Sequence, residues 1–153
     1  MSIDIWGTGG SLPVSRKGNR CVLTVVDHFN SYLYTFPIKD EKTKTIAKVL
    51  VNRLFLEHGI FPRVLLSDNG PCFRAKLLDK VTEYLGVRRW FTSSYLAAAN
   101  GKVERKHREL AYMLGIHARE ENENWDEHLP FVVFAINTAF SRTLKETPFF
   151  FNT

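Results

Sequence analysis

The chain has 153 residues, of which 44% are apolar and 13% aromatic, so its composition supports one folded domain with a sizeable core and argues against disorder. Its formal charge of +5 favours a polyanionic partner. Apolar runs fall short of the ~18 residues that a membrane-spanning helix needs, and the N-terminus has no signal-peptide pattern, so we expect a soluble intracellular protein without a membrane partner.

The amino-terminal part of the chain predicts three strands joined by turns. Ser2–Trp6 is a short β-prone run that contains Asp4, and the glycine-rich stretch 7–19 (GTGGSLPVSRKGN) predicts a turn or hairpin loop. Residues 20–26 and 32–38 are strongly strand-like and are separated by a polar segment. Short connections of this kind predict antiparallel pairing of the three strands.

Helices and strands alternate in the rest of the chain. The next predicted elements are a helix over 42–58, a buried strand over 63–67, a helix over 74–85 and a strand over 87–91. Two helical regions follow: one has Asn100 as its N-cap, and the other spans about 125–140, where Pro130 either opens or kinks it. The order β-β-β-α-β-α-β-α-α predicts an α/β fold with a mixed five-stranded sheet flanked by helices.

Three carboxylates occupy positions where such a sheet concentrates its chemistry. Asp4 lies inside a strand, where a charged side chain needs a partner or an ion. Asp68 follows the fourth strand, at the end where these folds bind ligands, although Asp-Asn-Gly is also a good turn sequence. Glu104 borders the apolar stripe of the next long helix, and an i,i+4 ion pair with Arg108 is its purely structural alternative.

Carboxylates brought together in a basic protein repel one another unless cations bind between them. Hard oxygen ligands favour Mg²⁺ or Mn²⁺, and two such ions suit in-line displacement at a phosphodiester, with nearby lysines and arginines on the nucleic-acid backbone. Cys21 and Cys72 are far apart and predict buried thiols rather than a zinc site. His107 lies in the inward stripe of its helix, and we expect a histidine at the edge of the core rather than a ligand.

The three acidic residues stand in blocks that resemble the Asp, Asp, Glu signature of retroviral and LTR-retrotransposon integrases. Asp4 lies in IDIWG, Asp68 in LLSDNGPCF and Glu104 in NGKVERKHREL, and 35 residues separate Asp68 from Glu104, the spacing typical of that family. VVDHFNSYLYTFPI and WDEHLPFVVFAINTAF are also similar to family blocks. The resemblance covers essentially the whole chain and implies a ribonuclease-H-like fold, with residues 1–153 as an integrase catalytic core domain.

The resemblance also implies an enzyme, a polynucleotidyl transferase and endonuclease that acts in the nucleus. Asp4, Asp68 and Glu104 would be its catalytic residues and would bind two Mg²⁺ or Mn²⁺ ions. Its reactions would be 3′-end processing of retroelement DNA and strand transfer into target DNA, performed by a core that forms a homodimer. The DNA contacts implied by position in the motif are Tyr95, Asn100, Lys102, Arg105 and Arg108.

Two features depart from the family pattern. Residues 96–99 (LAAA) replace a His-Pro-Gln-like run in a loop that lies over the reacting DNA end, so polar groups are missing there. The amino-terminal zinc domain and the carboxy-terminal DNA-binding domain of family integrases are not found in this sequence, and we expect an excised core. A ribonuclease H, a cut-and-paste transposase and a domesticated, inactive binding module derived from an integrase are the alternatives.

Overall fold

A computed structural model describes residues 1–7, 12–92, 97–117 and 123–152, with the backbone alone for residues 97–100 and 116–117. A π-helical segment, Leu50–Glu57, continues the first α-helix directly, and a short 3₁₀ turn, Phe150–Asn152, lies near the end of the chain. The strands and α-helices of the described residues are β1 (Ser2–Trp6), β2 (Cys21–Val26), β3 (Leu33–Ile38), α1 (Thr43–Val49), β4 (Val64–Ser67), α2 (Lys76–Tyr84), β5 (Arg88–Phe91), α3 (Ala97–His117) and α4 (Trp125–Thr138).

The five strands form one mixed sheet in the order β3-β2-β1-β4-β5. β1 pairs with β2 and β2 with β3 in antiparallel fashion, whereas β4 pairs with β1 and with β5 in parallel. The antiparallel strands follow each other through short connections, and the parallel ones need helical crossovers, as the element order predicted. The predicted α/β fold with a mixed five-stranded sheet is confirmed.

Helices cover both faces of the sheet, and β2 contributes to both layers of the core. Its residues are all buried and alternate between the faces because successive strand side chains point to opposite sides. Leu23 and Val25 pack with the apolar residues of α1, the π-helical segment and α2, while Val22 and Val26 pack with those of α3 and α4. Each large side chain buried in this way contributes roughly 1.5–3 kcal/mol to folding.

The last strand of the antiparallel half is fixed to α4 by Asn137, which is 1% exposed. The backbone N–H of Leu33 donates to Asn137 Oδ1, and Asn137 Nδ2 donates to the Leu33 carbonyl, both at 2.9 Å. The amide of one side chain thus satisfies both backbone groups of the first residue of β3, which would otherwise be buried without partners.

The structure corrects the predicted start of α3 and decides the role of Pro130 in α4. α3 begins at Ala97, so Asn100 lies inside the helix and is not its N-cap. Alanine is the strongest helix former, which explains why residues 97–99 extend the helix where a loop was predicted; Leu96 lies outside the described residues. α4 begins at Trp125, and Pro130 is inside it, so the alternative in which this proline opens the helix is wrong.

Candidate active site

Asp4 and Asp68 are brought side by side by the parallel pairing of β1 and β4. Ser2 of β1 is in register with Leu66 of β4, so a step of two residues along both strands leads to Asp4 and Asp68. Because side chains alternate along a strand, Ile3 and Ile5 point into the core layer beneath α1 and α2, and Asp4 points to the face that α3 covers. Sheet register, not sequence distance, makes these two carboxylates neighbours.

The Asp4 carboxyl group lies in an environment that disfavours its charge. Burial is the main cause of an increase in its pKa from 3.8 to about 6, and the negative charges of Asp68 and Glu104 raise the pKa further. A hydrogen bond from the Ile5 N–H to Asp4 Oδ1, at 2.8 Å, acts in the opposite direction. Asp68 and Glu104 are therefore both within electrostatic reach of Asp4.

Asp68 is oriented by the tight turn that follows β4. Its Oδ1 accepts a hydrogen bond from the Gly70 N–H at 2.9 Å, and Asn69 Nδ2 donates to the Thr92 carbonyl at 2.9 Å. A Cβ atom at Gly70 would lie 3.0 Å from Asp68 Oδ1, so a larger residue would push the carboxylate away. The hydrogen bond from the Gly70 N–H to Asp68 Oδ1 therefore both stabilises the Asp-Asn-Gly turn and orients the Asp68 carboxylate.

α3 contributes the exposed Glu104 and, one turn later, the largely buried His107. His107 Nε2 is 2.7 Å from Thr24 Oγ1, and His107 Nδ1 is 4.0 Å from Asp4 Oδ2. Burial lowers the pKa of His107 to about 4, so the imidazole is neutral at pH 7. Thr24 lies opposite Asp4 in the β1–β2 ladder and donates to the Asp4 carbonyl at 3.1 Å.

His107 and Thr24 thus form a polar layer beneath Asp4 that sequence reasoning missed. His107 was predicted at the edge of the core, and its side chain is 15% exposed there. The helical stripe indicated that His107 faces the sheet, but no local pattern indicated Thr24 or Asp4 as its partner.

Among the described residues, no group of three or more His, Cys, Asp or Glu side chains is arranged closely enough to hold a metal ion. The donor chemistry nevertheless fits Mg²⁺ or Mn²⁺, since Asp4, Asp68 and Glu104 offer only hard oxygen ligands. Burial is the main cause of the raised pKa of Asp4, and the negative charges of Asp68 and Glu104 add to it, so a nearby cation would favour the charged form of Asp4.

The basic residues of α3 have different environments. Lys102 Nζ donates to the His28 carbonyl at 2.6 Å, whereas Arg105 and Arg108 are exposed. Within the described part of the chain, α3 has an ion pair between Lys106 and Glu109 but none between Glu104 and Arg108, which was the structural alternative for Glu104. Tyr95 lies outside the described residues, and only the backbone of Asn100 is described.

Known proteins are similar to this chain over most of its length. The integrase core domain family matches residues 1–96, a segment that includes Asp4 and Asp68 and ends before Glu104. The Gag-Pol polyprotein of feline leukemia virus is 33% identical over 123 residues, which cover 80% of this chain and 7% of that polyprotein. A retrovirus-related Pol polyprotein from transposon 412 of Drosophila melanogaster is 26% identical over 142 residues, 93% of this chain and 11% of the relative. The chain spans about a tenth of these relatives.

Solved structures share the fold. The HTLV-2 integrase catalytic core domain in complex with magnesium, in a trimeric form, superposes with a TM-score of 0.75 and 17% identity, covering 99% of this chain and 94% of that one. A chain of the simian T-cell lymphotropic virus intasome, in complex with PP2A regulatory subunit B56 gamma, gives a TM-score of 0.82 and 19% identity, covering 99% and 52%. From the family match over more than half of its residues, the chain belongs to the integrase core domain family, and its relatives and fold are of the retroviral type.

Proposed function

We propose that this chain is the catalytic core of an integrase that cuts and joins DNA strands with a divalent metal. Its reactions are 3′-end processing of retroelement DNA and transfer of the new ends into target DNA in the nucleus. The observation that carries the proposal is the β1–β4 register, with Ser2 opposite Leu66, which places Asp4 beside Asp68 within the segment that the integrase core domain family matches. A related core of the same fold was solved with magnesium, which supports the choice of cation.

Asp4, Asp68 and Glu104 would hold the cations, and the surrounding residues would orient them. Two Mg²⁺ or Mn²⁺ ions bound there supply Lewis-acid polarisation of the phosphate and activation of a water molecule or a 3′-hydroxyl group. The Gly70 N–H fixes the rotation of the Asp68 carboxylate, and the Ile5 N–H does the same for Asp4. His107, which is hydrogen-bonded to Thr24, lies 4.0 Å from Asp4 Oδ2 on the side of α3.

Exposed cations on α3 would hold the DNA beside these carboxylates. Arg105 and Arg108 extend into solvent from the helix that carries Glu104, and the chain has a formal charge of +5. Phosphate contacts by such residues release counterions and give affinity without sequence preference. Tyr95, Asn100 and Lys102 are proposed contacts by their place in the motif; Lys102 would exchange its bond with the His28 carbonyl for a phosphate.

A homodimer is proposed for the core because aromatic side chains are exposed at its carboxy-terminal end. Phe131 and Phe134 of α4 are 75% and 61% exposed, and Phe140 is 67% exposed. An apolar surface of this kind often marks an interface between protein chains. Among the solved structures with this fold, one core is trimeric and another belongs to an intasome, so assemblies of several chains occur with this fold.

The proposal is tested by Glu104→Gln with Glu109→Gln as the matched control on the same helix. A branched DNA in which an arbitrary donor strand is joined to a target duplex is the substrate, because the proposed phosphate contacts have no sequence preference. We expect Glu104→Gln to lower the Mg²⁺-dependent rate by at least about 100-fold, a loss typical of a group that stabilises transition-state charge. Glu109→Gln, which removes only the pair with Lys106, should react like the wild type. An active Glu104→Gln protein would refute the assignment.

A further inference from the structure

The segment that joins β4 to α2 carries Asp68 at its start, and the side chain of its Phe73 is buried in the core. Within it, the Phe73 N–H donates to the Gly70 carbonyl at 2.9 Å, and Gly70 in turn donates to Asp68 Oδ1. The position of the Asp68 carboxylate therefore depends on where the backbone near Phe73 is held. Thr43 Oγ1 donates to the neighbouring Cys72 carbonyl at 3.0 Å and anchors one side of the segment.

Arg89 of β5 anchors the other side. Its side chain is only 6% exposed, and one of its terminal nitrogens donates to the Phe73 carbonyl while the other lies 2.7 Å from Asp79 Oδ1 on α2. The guanidinium carbon also lies 4.8 Å from the centre of the Phe91 ring. A planar group with several fixed donors can hold a backbone carbonyl and a carboxylate at once, which a lysine ammonium cannot do with the same rigidity.

A stability role alone does not account for this placement. A buried guanidinium is expensive to desolvate and contributes little net stability compared with an apolar side chain of similar size. Asp79 is half exposed, so its ion pair with Arg89 is partly screened by solvent. The bond to the Phe73 carbonyl, by contrast, connects the edge strand to the segment that begins at Asp68.

We propose that Arg89 is a positioning residue that keeps Asp68 within reach of Asp4, through the hydrogen bonds that run from Phe73 to Gly70 and on to the carboxylate. The inference rests on the proposed function, because it concerns the readiness of Asp68 to bind a divalent cation. Arg89 would act through the backbone near Phe73 and not as a ligand of the cation. Replacing Arg89 would keep all three carboxylate side chains in the protein, but the turn that orients Asp68 would be held less firmly.

The test compares Arg89→Gln with two matched variants in the full chain. Arg88→Gln makes the same substitution at the exposed neighbour on the same strand, and Asp79→Asn breaks the ion pair while leaving the Phe73 carbonyl bonded. The probe is Mn²⁺, titrated by electron paramagnetic resonance, together with the Mg²⁺ concentration that gives half-maximal cleavage of the branched DNA. Hydrogen exchange of the Gly70 and Phe73 amides is measured without metal.

For Arg89→Gln we expect the Mn²⁺ dissociation constant and the Mg²⁺ requirement to rise about tenfold, as for other residues that orient metal ligands. Activity should recover at saturating Mn²⁺, and the two amides should exchange faster in the metal-free protein. Arg88→Gln and Asp79→Asn should bind Mn²⁺ like the wild type. If Arg89→Gln does not fold, Arg89→Lys is compared in the same way and should show the same weaker Mn²⁺ binding.

The remaining outcomes refute either the positioning role of Arg89 or the proposed function. Equal Mn²⁺ affinity in Arg89→Gln and Arg88→Gln would refute the positioning role while leaving the proposed function intact. The same conclusion follows from a lower rate at every metal concentration with an unchanged Mg²⁺ requirement, because that pattern indicates a structural role alone. A wild-type protein that binds no Mn²⁺ refutes the proposed function, and the inference with it.

Discussion

Replacing Asp4 by asparagine should stabilise the metal-free protein while removing its activity. The pKa of Asp4 is raised from 3.8 to about 6, a shift of roughly two units, which corresponds to at most about 3 kcal/mol at 1.36 kcal/mol per unit. Since 32% of the side chain is exposed, solvent screens part of this cost, and we expect a gain of about 1–2 kcal/mol. Asparagine keeps the shape and can still accept the hydrogen bond from the Ile5 N–H.

Because the pKa of Asp4 is raised in the folded protein, the effect of Asp4 on stability depends on pH. A carboxyl group whose pKa is higher in the folded state stabilises the fold below pH 3.8, and this contribution is lost as the pH rises through about 6. The charged Asp4 therefore destabilises the metal-free fold at pH 7.5, and its replacement helps most there. Near pH 4 the folded wild type has this group protonated, so the two proteins should differ little.

The assay is urea unfolding in EDTA at pH 7.5 and pH 4, repeated at pH 7.5 with Mg²⁺. The exposed Glu41→Gln, which changes the net charge equally, is the control and should change stability by less than about 0.5 kcal/mol. With Mg²⁺ the order should reverse, because the cation stabilises only a protein that binds it. An Asp4→Asn protein that is less stable than the wild type at pH 7.5 in EDTA would refute the reasoning.

Three further predictions concern other parts of the molecule. Asn137→Leu should lower the free energy of unfolding by roughly 2–4 kcal/mol in urea titration, because both backbone groups of Leu33 lose their partners; a loss below 1 kcal/mol would contradict this. DNA affinity in a filter-binding or fluorescence assay should fall steeply between about 50 and 200 mM salt. The double substitution Arg105→Gln with Arg108→Gln should reduce the slope of log affinity against log salt concentration by about two. An affinity that does not depend on salt would show that neither arginine contacts the DNA. Light scattering should give a dimer mass that Phe131→Glu with Phe134→Glu converts to a monomer, and a wild-type monomer at high concentration would refute the interface.

Local patterns predicted the strands well because apolar and β-branched residues form short runs that are bounded by polar or turn residues. β1 has the predicted bounds, and β2 begins at Cys21, one residue later than predicted. The boundary of α3 was harder to predict, since Asn100 is a good N-cap residue while the alanines before it are strong helix formers. The helix propensity of residues 97–99 outweighed the preference of Asn100 for the N-cap position. The local sequence does not show which of these two preferences is the stronger.

The sequence by itself determined which chemistry is available: three carboxylates, their spacing along the chain, and a basic helix around the third. Tertiary structure alone decided which side chains meet them. The β1–β4 register places Asp68 beside Asp4, and the packing of α3 on the sheet brings His107 to Thr24. Arg89 looks like its neighbour Arg88 in the sequence, yet only Arg89 is buried against the Asp68 segment. Periodicity reports the face on which a residue lies, whereas such contacts depend on how distant elements pack, which leaves no local periodic signal.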